Sequence, residues 1–280
     1  MKSEDIKKKK GKRKIVMLTA YDYSFARIIE EAGIDIILVG DSLANVVLGM
    51  KQTKEISFEE MFNHTKAVKK AVKDTLVVAD MPYVAYQENP SQALFYAKKF
   101  VEEAGADAVK IEWFEEAIQV TQELIENNIP VMGHIGLTPQ TVDKIGGFKV
   151  QGKDYEGAKR LFRQAKLWER EGIFSIVLEC IPYELARLIT HTLRIPTIGI
   201  GAGPFCDGQV LVLYDILGLY KNFKPKFVKV YKDISSLIKE AVLQFKEEVE
   251  KNIFPSPSSS FTISQESLER LKKEIEAGFF

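Results

Sequence analysis

Cysteine is scarce in this 280-residue chain: Cys180 and Cys206 are the only two, and they form no CxxC pair. With no apolar leader after the basic opening, a disulfide framework is not expected, and a reduced, cytoplasmic setting is. Long hydrophobic runs are missing as well. The stretch "IVMLTAYDYS" soon breaks into polar residues and no other reaches the length of a membrane span, so no membrane partner is expected. Net charge is absent, since 39 Lys and Arg balance 39 Asp and Glu, which leaves no global field drawing the protein to nucleic acid. The opening "MKSEDIKKKKGKRK" is basic but short, and nothing elsewhere extends it, so it reads as a solvated flank. No Gly-x-Gly-x-x-Gly follows the first apolar run, which disfavours a nicotinamide site.

What is present suits one soluble α/β domain. Hydrophobic residues make up 46% and charged residues 28%, enough apolar material for a full core. Short β-branched runs recur: "KIVMLTA", "IDIILVGD", "TLVVAD", "ADAVKIE", "IPVMGHIG", "FSIVLEC", "IPTIGIGAG" and "QVLVLYDIL". Their near-continuous hydrophobicity fits parallel strands covered on both faces. Between them, "YSFARIIEEAG", "SFEEMFNHTKAVKKAV", "NPSQALFYAKKFVEEAG" and "EGAKRLFRQAKLWEREG" carry helical spacing and end near glycine. Eight βα repeats predict a (β/α)8 TIM barrel with an N-terminal flank and a C-terminal helical extension. The eighth run also reads as the start of a helix. The expected organisation is a catalytic barrel over 1–253, a Pro/Ser linker over 254–261 and a helical tail over 262–280, opened by Ser264 and suited to packing or oligomerisation.

Two connections are long, "SLANVVLGMKQTKEI" and "LTPQTVDKIGGFKVQGKDYEG", and both fall on the face where barrel active sites are built. "GIGAG" from Gly199 to Gly203 reads either as an anion cradle or as close backbone packing. The strand ends carry the chemistry. Asp41, Asp80, Lys110 with Glu112, His134 and Glu179 stand at or near the C-terminal tips of five strands, which converge on one mouth in a barrel. Several carboxylates in a low-dielectric site need neutralising, and oxygen ligands with one nearby histidine point to Mg²⁺ or a similar hard cation. Lys110 and Glu112, two apart on a strand, share the inward face. Lys110 reads as a contact for an anionic substrate or as a Schiff-base lysine. Glu179, in an apolar stretch, reads as a general base or as a salt-bridge partner of Lys110. His134 reads as a site residue or as a satisfied core histidine.

The segments "MLTAYDYSFA", "LVGDSL", "ADMPY", "AVKIE", "GHIGLTPQ", "GGFKVQG", "VLECIP", "PTIGIGAG" and "CDGQVLV", in this order over residues 12–257, resemble the ketopantoate hydroxymethyltransferase family. "DMPY" and "GGF" stand where that family often has DMPF and GGY. The resemblance implies a barrel that transfers a hydroxymethyl group from 5,10-methylenetetrahydrofolate to 3-methyl-2-oxobutanoate through a Mg²⁺-stabilised enolate. It also implies a homo-oligomer, usually a decamer. On this resemblance Asp41, Asp80 and Glu112 hold the metal, and Asp41, Ser42, Asp80, Lys110 and His134 lie at the keto acid. Glu179 takes the proton. The alternatives are a Mg²⁺-dependent C–C lyase or mutase of 2-oxo or phosphoenol acids, and a silent barrel.

Overall fold

The computed structural model describes residues 1–144 and 146–279. Eight parallel strands close a barrel in chain order: β1 (Ile15–Thr19), β2 (Ile36–Val39), β3 (Leu76–Asp80), β4 (Ala108–Glu112), β5 (Val131–Gly136), β6 (Ser175–Glu179), β7 (Thr197–Ile200) and β8 (Gly208–Leu211). β8 pairs back onto β1, so no strand edge is left open. All eight anticipated strands are present. Both readings of "QVLVLYDIL" hold in succession, because Gly208–Leu211 is strand and Leu213–Ile216 is a short helix.

The helices are α1 (Ser3–Lys7), α2 (Tyr23–Glu31), α3 (Leu43–Val46), α4 (Phe58–Ala71), α5 (Pro90–Lys98), α6 (Ala117–Glu126), α7 (Tyr155–Arg170), α8 (Tyr183–Thr192), α9 (Leu213–Ile216), α10 (Ile234–Glu250) and α11 (Gln265–Glu276). Local chemistry sets their starts. Asp22, Asn89 and Asp154 accept the N–H three residues on, and Ser57 with Glu60 forms a reciprocal capping box; each cap contributes about 1 kcal/mol.

Strand parity divides the core. Ile15, Met17, Ile36, Leu38, Leu76, Val78, Ala108, Met132, Val177, Ile198 and Val210 form the inward cluster, while Ile37, Val39, Val77, Ala79, Val109 and Ile111 belong to the larger cluster that includes helix residues. The inward columns are apolar toward their N-terminal ends, apart from Ser175 at the start of β6. Continued by two residues, the same columns reach Asp80, Lys110, Glu112, His134 and Glu179.

The basic opening is not a solvated flank. Ile6 of α1 is fully buried in the inward cluster. Lys9 and Arg13 both pair with Asp35, Lys10 pairs with Asp207 at 2.7 Å, and Lys14 donates to the carbonyl of Cys206. Asp35 and Asp207 immediately precede β2 and β8, so the run closes the N-terminal end of the barrel. Its partners are remote in sequence, and local charge patterning does not reveal them.

Both long connections contain some structure of their own. The first holds α3 and a 3-10 turn at Thr53–Glu55, and the second opens with a 3-10 turn at Pro139–Thr141; its Ile145 lies outside the described residues. Lys54 Nζ and Asp143 Oδ2, 2.6 Å apart, tie the two together. The glycines of "GIGAG" serve close packing: at Gly203, with φ +77°, a Cβ would sit 2.3 Å from Tyr183 Cβ.

The chain forms two compact units, Met1–Lys232 and Asp233–Phe280. The second holds α10 and α11, and Ser264 caps α11 by accepting from the Ser267 N–H. Among the described residues no helix is long and apolar enough to cross a membrane.

Candidate active site

Register brings the polar tips together. Asp80 of β3 lies opposite Lys110 of β4, and Glu112 of β4 lies opposite His134 of β5. Lys110 Nζ donates to both Asp80 oxygens at 2.7 Å, and both residues are buried. Asp41 follows Gly40, just past the end of β2, and its main-chain N–H donates to Asp80 Oδ2 at 3.2 Å. Beside it, Ser42 Oγ is 2.8 Å from the buried Tyr21 hydroxyl.

On the other side of the mouth, His134 stands between two acids. Its Nδ1 is 3.4 Å from Glu112 Oε1 and its Nε2 is 3.2 Å from Glu179 Oε2, although neither contact is aligned as a hydrogen bond. Glu112 Oε2 accepts from the Gln140 N–H at 3.1 Å. The Glu179 side chain, 15% exposed, is the one acid here with an open edge. Its setting is therefore not simply apolar, and its neighbour is His134, whereas Lys110 is held by Asp80. Close approach is required at this point: Gly136 has φ +101°, and a Cβ there would meet the Glu179 carbonyl at 2.1 Å.

Burial dominates the electrostatics. It raises the Asp80 carboxyl, against the pull of Lys110 and with the help of Asp41. It pushes Glu112 up to about 7, partly offset by His134. Burial alone would lower Lys110, but the surrounding Asp80, Asp41 and Glu112 carboxylates outweigh it and hold the ammonium charged. Burial and Lys110 disfavour the His134 cation, yet Glu112 and Glu179 raise it to about 9. At neutral pH the mouth thus holds two cations among four acids.

Two buried carboxylate oxygens, Asp41 Oδ2 and Glu112 Oε1, have no hydrogen-bond partner among the described residues. Such atoms are costly unless a ligand completes them. Among the described residues no group of three His, Cys, Asp or Glu is close enough to hold a metal by itself. The two unpartnered carboxylate oxygens, both hard oxygen donors, would suit a hard cation held by one or two carboxylates.

The structure thus brings Asp41, Ser42, Asp80, Lys110, Glu112, His134 and Glu179 to one end of the barrel. Reasoning from charged strand ends overlooked Tyr21, Tyr86 and Gln140. Their signal is weak: uncharged polar side chains in loop segments that turn out to be buried.

The closed eight-stranded barrel thus gathers buried acids, a lysine and a histidine at the C-terminal tips of its strands. Among solved structures, a phosphonopyruvate hydrolase in complex with oxalate and Mg²⁺ is similar at 11% identity and TM-score 0.57, covering 99% of this chain and 98% of the other. A 2,3-dimethylmalate lyase, described as a PEP mutase/isocitrate lyase superfamily member, is similar at 13% identity and TM-score 0.56, covering 99% of both chains. At these identities the likeness is one of fold. Sequence comparison is more specific. The profile of ketopantoate hydroxymethyltransferase matches residues 1–257. The 3-methyl-2-oxobutanoate hydroxymethyltransferase of Syntrophomonas wolfei subsp. wolfei is 52% identical over 264 residues, 94% of this chain and 96% of the relative. That of Thermotoga maritima is 51% identical over 262 residues, 94% and 97% respectively. The chain belongs to the ketopantoate hydroxymethyltransferase family, and its enzyme class is hydroxymethyltransferase.

Proposed function

We propose that this enzyme transfers a hydroxymethyl group from 5,10-methylenetetrahydrofolate to 3-methyl-2-oxobutanoate, giving 2-dehydropantoate for pantothenate and coenzyme A synthesis. The observation that carries the chemistry is a partly open Glu179 beside His134, at the same barrel end as the buried Asp80–Lys110 pair and Glu112. Asp41 and Asp80 would hold Mg²⁺, with Glu112 as the third acidic group. Mg²⁺ supplies Lewis-acid polarisation of the keto oxygen, which acidifies the neighbouring C3–H.

The chain's own groups do the rest. Ser42, oriented by Tyr21, and the Lys110 ammonium bind and balance the 2-oxo acid. Glu179 accepts the C3 proton, and His134 Nε2, 3.2 Å from Glu179 Oε2, stands beside that carboxylate. C3 then forms the carbon–carbon bond to the one-carbon unit as that carbon's two bonds to the folate nitrogens break. One water supplies the hydroxyl, and its second proton and the C3 proton pass to the two nitrogens, releasing tetrahydrofolate. The two long connections, joined by Lys54 and Asp143, limit solvent access to the carbanion.

The test is C3 proton exchange of 3-methyl-2-oxobutanoate in deuterated water, followed by NMR with Mg²⁺ and without folate. Mg²⁺-dependent exchange is expected. A folded, metal-loaded protein that neither exchanges this proton nor turns over with folate would overturn the proposal. Turnover without tetrahydrofolate would favour a C–C lyase using the same acids.

A further inference from the structure

Gln140 lies in the 3-10 turn after β5 and is 1% exposed. Its main-chain N–H makes the single aligned hydrogen bond that the Glu112 carboxylate receives among the described residues. Its side-chain Nε2 donates to the Met81 carbonyl at 3.2 Å, and its Oε1 accepts from the Tyr86 hydroxyl at 2.6 Å. Each half of the amide therefore meets a partner of the right polarity, which fixes the orientation of the group. Met81 directly follows Asp80, and its own N–H donates to the Lys110 carbonyl at 3.0 Å. Met81 is thus pinned to β4 on one side and to Gln140 on the other.

The turn is itself closed. The Thr141 N–H donates to the Thr138 carbonyl at 3.0 Å, and their hydroxyls are 2.8 Å apart. Tyr86 is fully buried, with its ring against Tyr83 and Phe114 at 5.7 and 5.2 Å between centroids. A hydroxyl placed so deeply needs a partner, and Gln140 supplies it.

We propose that Gln140 is a positioning residue: with its amide held by Tyr86, it fixes the Asp80 end of β3 through Met81, while its main-chain N–H fixes the Glu112 carboxylate on β4. It acts through these acids and touches no reacting atom. The inference rests on the proposed reading of Asp80 and Glu112 as members of a Mg²⁺ site. Groups that orient metal-binding carboxylates typically change metal affinity by about 10- to 100-fold when removed.

The experiment compares wild type, Gln140→Met, Tyr86→Phe and the double variant. Calorimetric titration of the free proteins with Mg²⁺ is set beside Tm, kcat and KM for the keto acid. Methionine preserves length and volume but removes the amide; phenylalanine removes one oxygen. Gln140→Met is expected to weaken Mg²⁺ binding by about 10- to 100-fold. Tyr86→Phe should weaken it less, and the double variant should be no worse than Gln140→Met, since Tyr86 acts through the amide. A merely structural glutamine would lower Tm and leave Mg²⁺ affinity within twofold of wild type, as judged by the same titration; that result in folded Gln140→Met overturns the inference. If Gln140→Met does not fold, unchanged Mg²⁺ affinity and kcat in Tyr86→Phe overturn it. A wild type that fails to bind Mg²⁺ and to exchange the C3 proton overturns the proposed reaction first, and the inference with it.

Discussion

The two ends of the barrel treat their acids in opposite ways. Burial is the largest influence on Glu30, Asp35 and Glu169 at the N-terminal end and on Asp80 and Glu112 at the C-terminal end, and everywhere it pushes the carboxyl upward. At the N-terminal end it loses. Glu30 accepts the N–H groups of Lys73, Asp74 and Thr75, Asp35 is held by Lys9, Val16 N–H and Arg13, and Glu169 by Lys166 and the Arg194 N–H, and all three carboxyls fall below their usual range. Asp107 and Asp207 follow the same construction: each precedes a strand, takes a neighbouring strand's N–H at 2.9 Å and pairs with a lysine at 2.7 Å. At the C-terminal end burial wins for Asp80 and Glu112, and two carboxylate oxygens have no hydrogen-bond partner among the described residues. Satisfied acids hold the barrel shut; unsatisfied ones are available to a substrate and a cation.

If that division is right, substitutions at the two ends should separate kinetics from stability. The largest kinetic effect is expected for Glu179→Gln, which keeps the shape and removes the base. It should lower kcat by about 10³-fold or more while leaving Mg²⁺ binding and Tm near wild type, as read by steady-state turnover and C3 exchange. Normal turnover would remove Glu179 from the mechanism.

Asp80 blurs the comparison, because it alone among the C-terminal acids has a full cation partner. Asp80→Ala should weaken Mg²⁺ binding in calorimetric titration and also strand the buried Lys110. The expected loss of stability is about 3–5 kcal/mol in urea unfolding. Unchanged metal binding would count against Asp80 as a ligand.

The sequence exposes most of this site because inward columns obey strict two-residue parity. Asp80, Lys110, Glu112, His134 and Glu179 continue columns whose lower members are mostly apolar, Ser175 being the exception, so their convergence follows once eight parallel strands are recognised. Asp41 breaks parity, since Ile36 and Leu38 lead to Gly40, and only the turn after β2 brings its N–H onto Asp80. The N-terminal cation run is less legible. Lys9 and Lys10 find acids 26 and 197 residues away, and nothing in "KKKKGKRK" distinguishes a paired lysine from a solvated one. Gln140 is obscure for another reason: its role depends on where an amide in a loop happens to point.

Asp35→Asn tests the other end. Removing this charge should lower stability by about 2 kcal/mol and Tm by about 4–8 °C, with kcat of the folded enzyme within twofold of wild type. The pH dependence has a definite sign. The folded-state carboxyl lies below its usual value, so its contribution is complete above the unfolded value near 3.9 and is lost as pH falls through the lower folded value. Between wild type and Asp35→Asn, the difference in urea midpoint should therefore shrink on acidification. A difference that grows instead would show that Lys9 and Arg13 do not stabilise the ionised form.

The smallest effect should come from Lys54→Ala. Lys54 and Asp143 are 2.6 Å apart, but their side chains are 35% and 58% exposed, so solvent screens the attraction and ordering two side chains offsets much of it. Stability should change by less than about 1 kcal/mol. This bridge nevertheless joins the two connections that flank the mouth, one following the Asp41 strand and the other carrying Gln140. A stability change that small, together with a raised KM for the keto acid that salt reproduces in wild type, would assign the bridge to loop closure. A loss well above 1 kcal/mol would instead place it with the satisfied pairs at the opposite end.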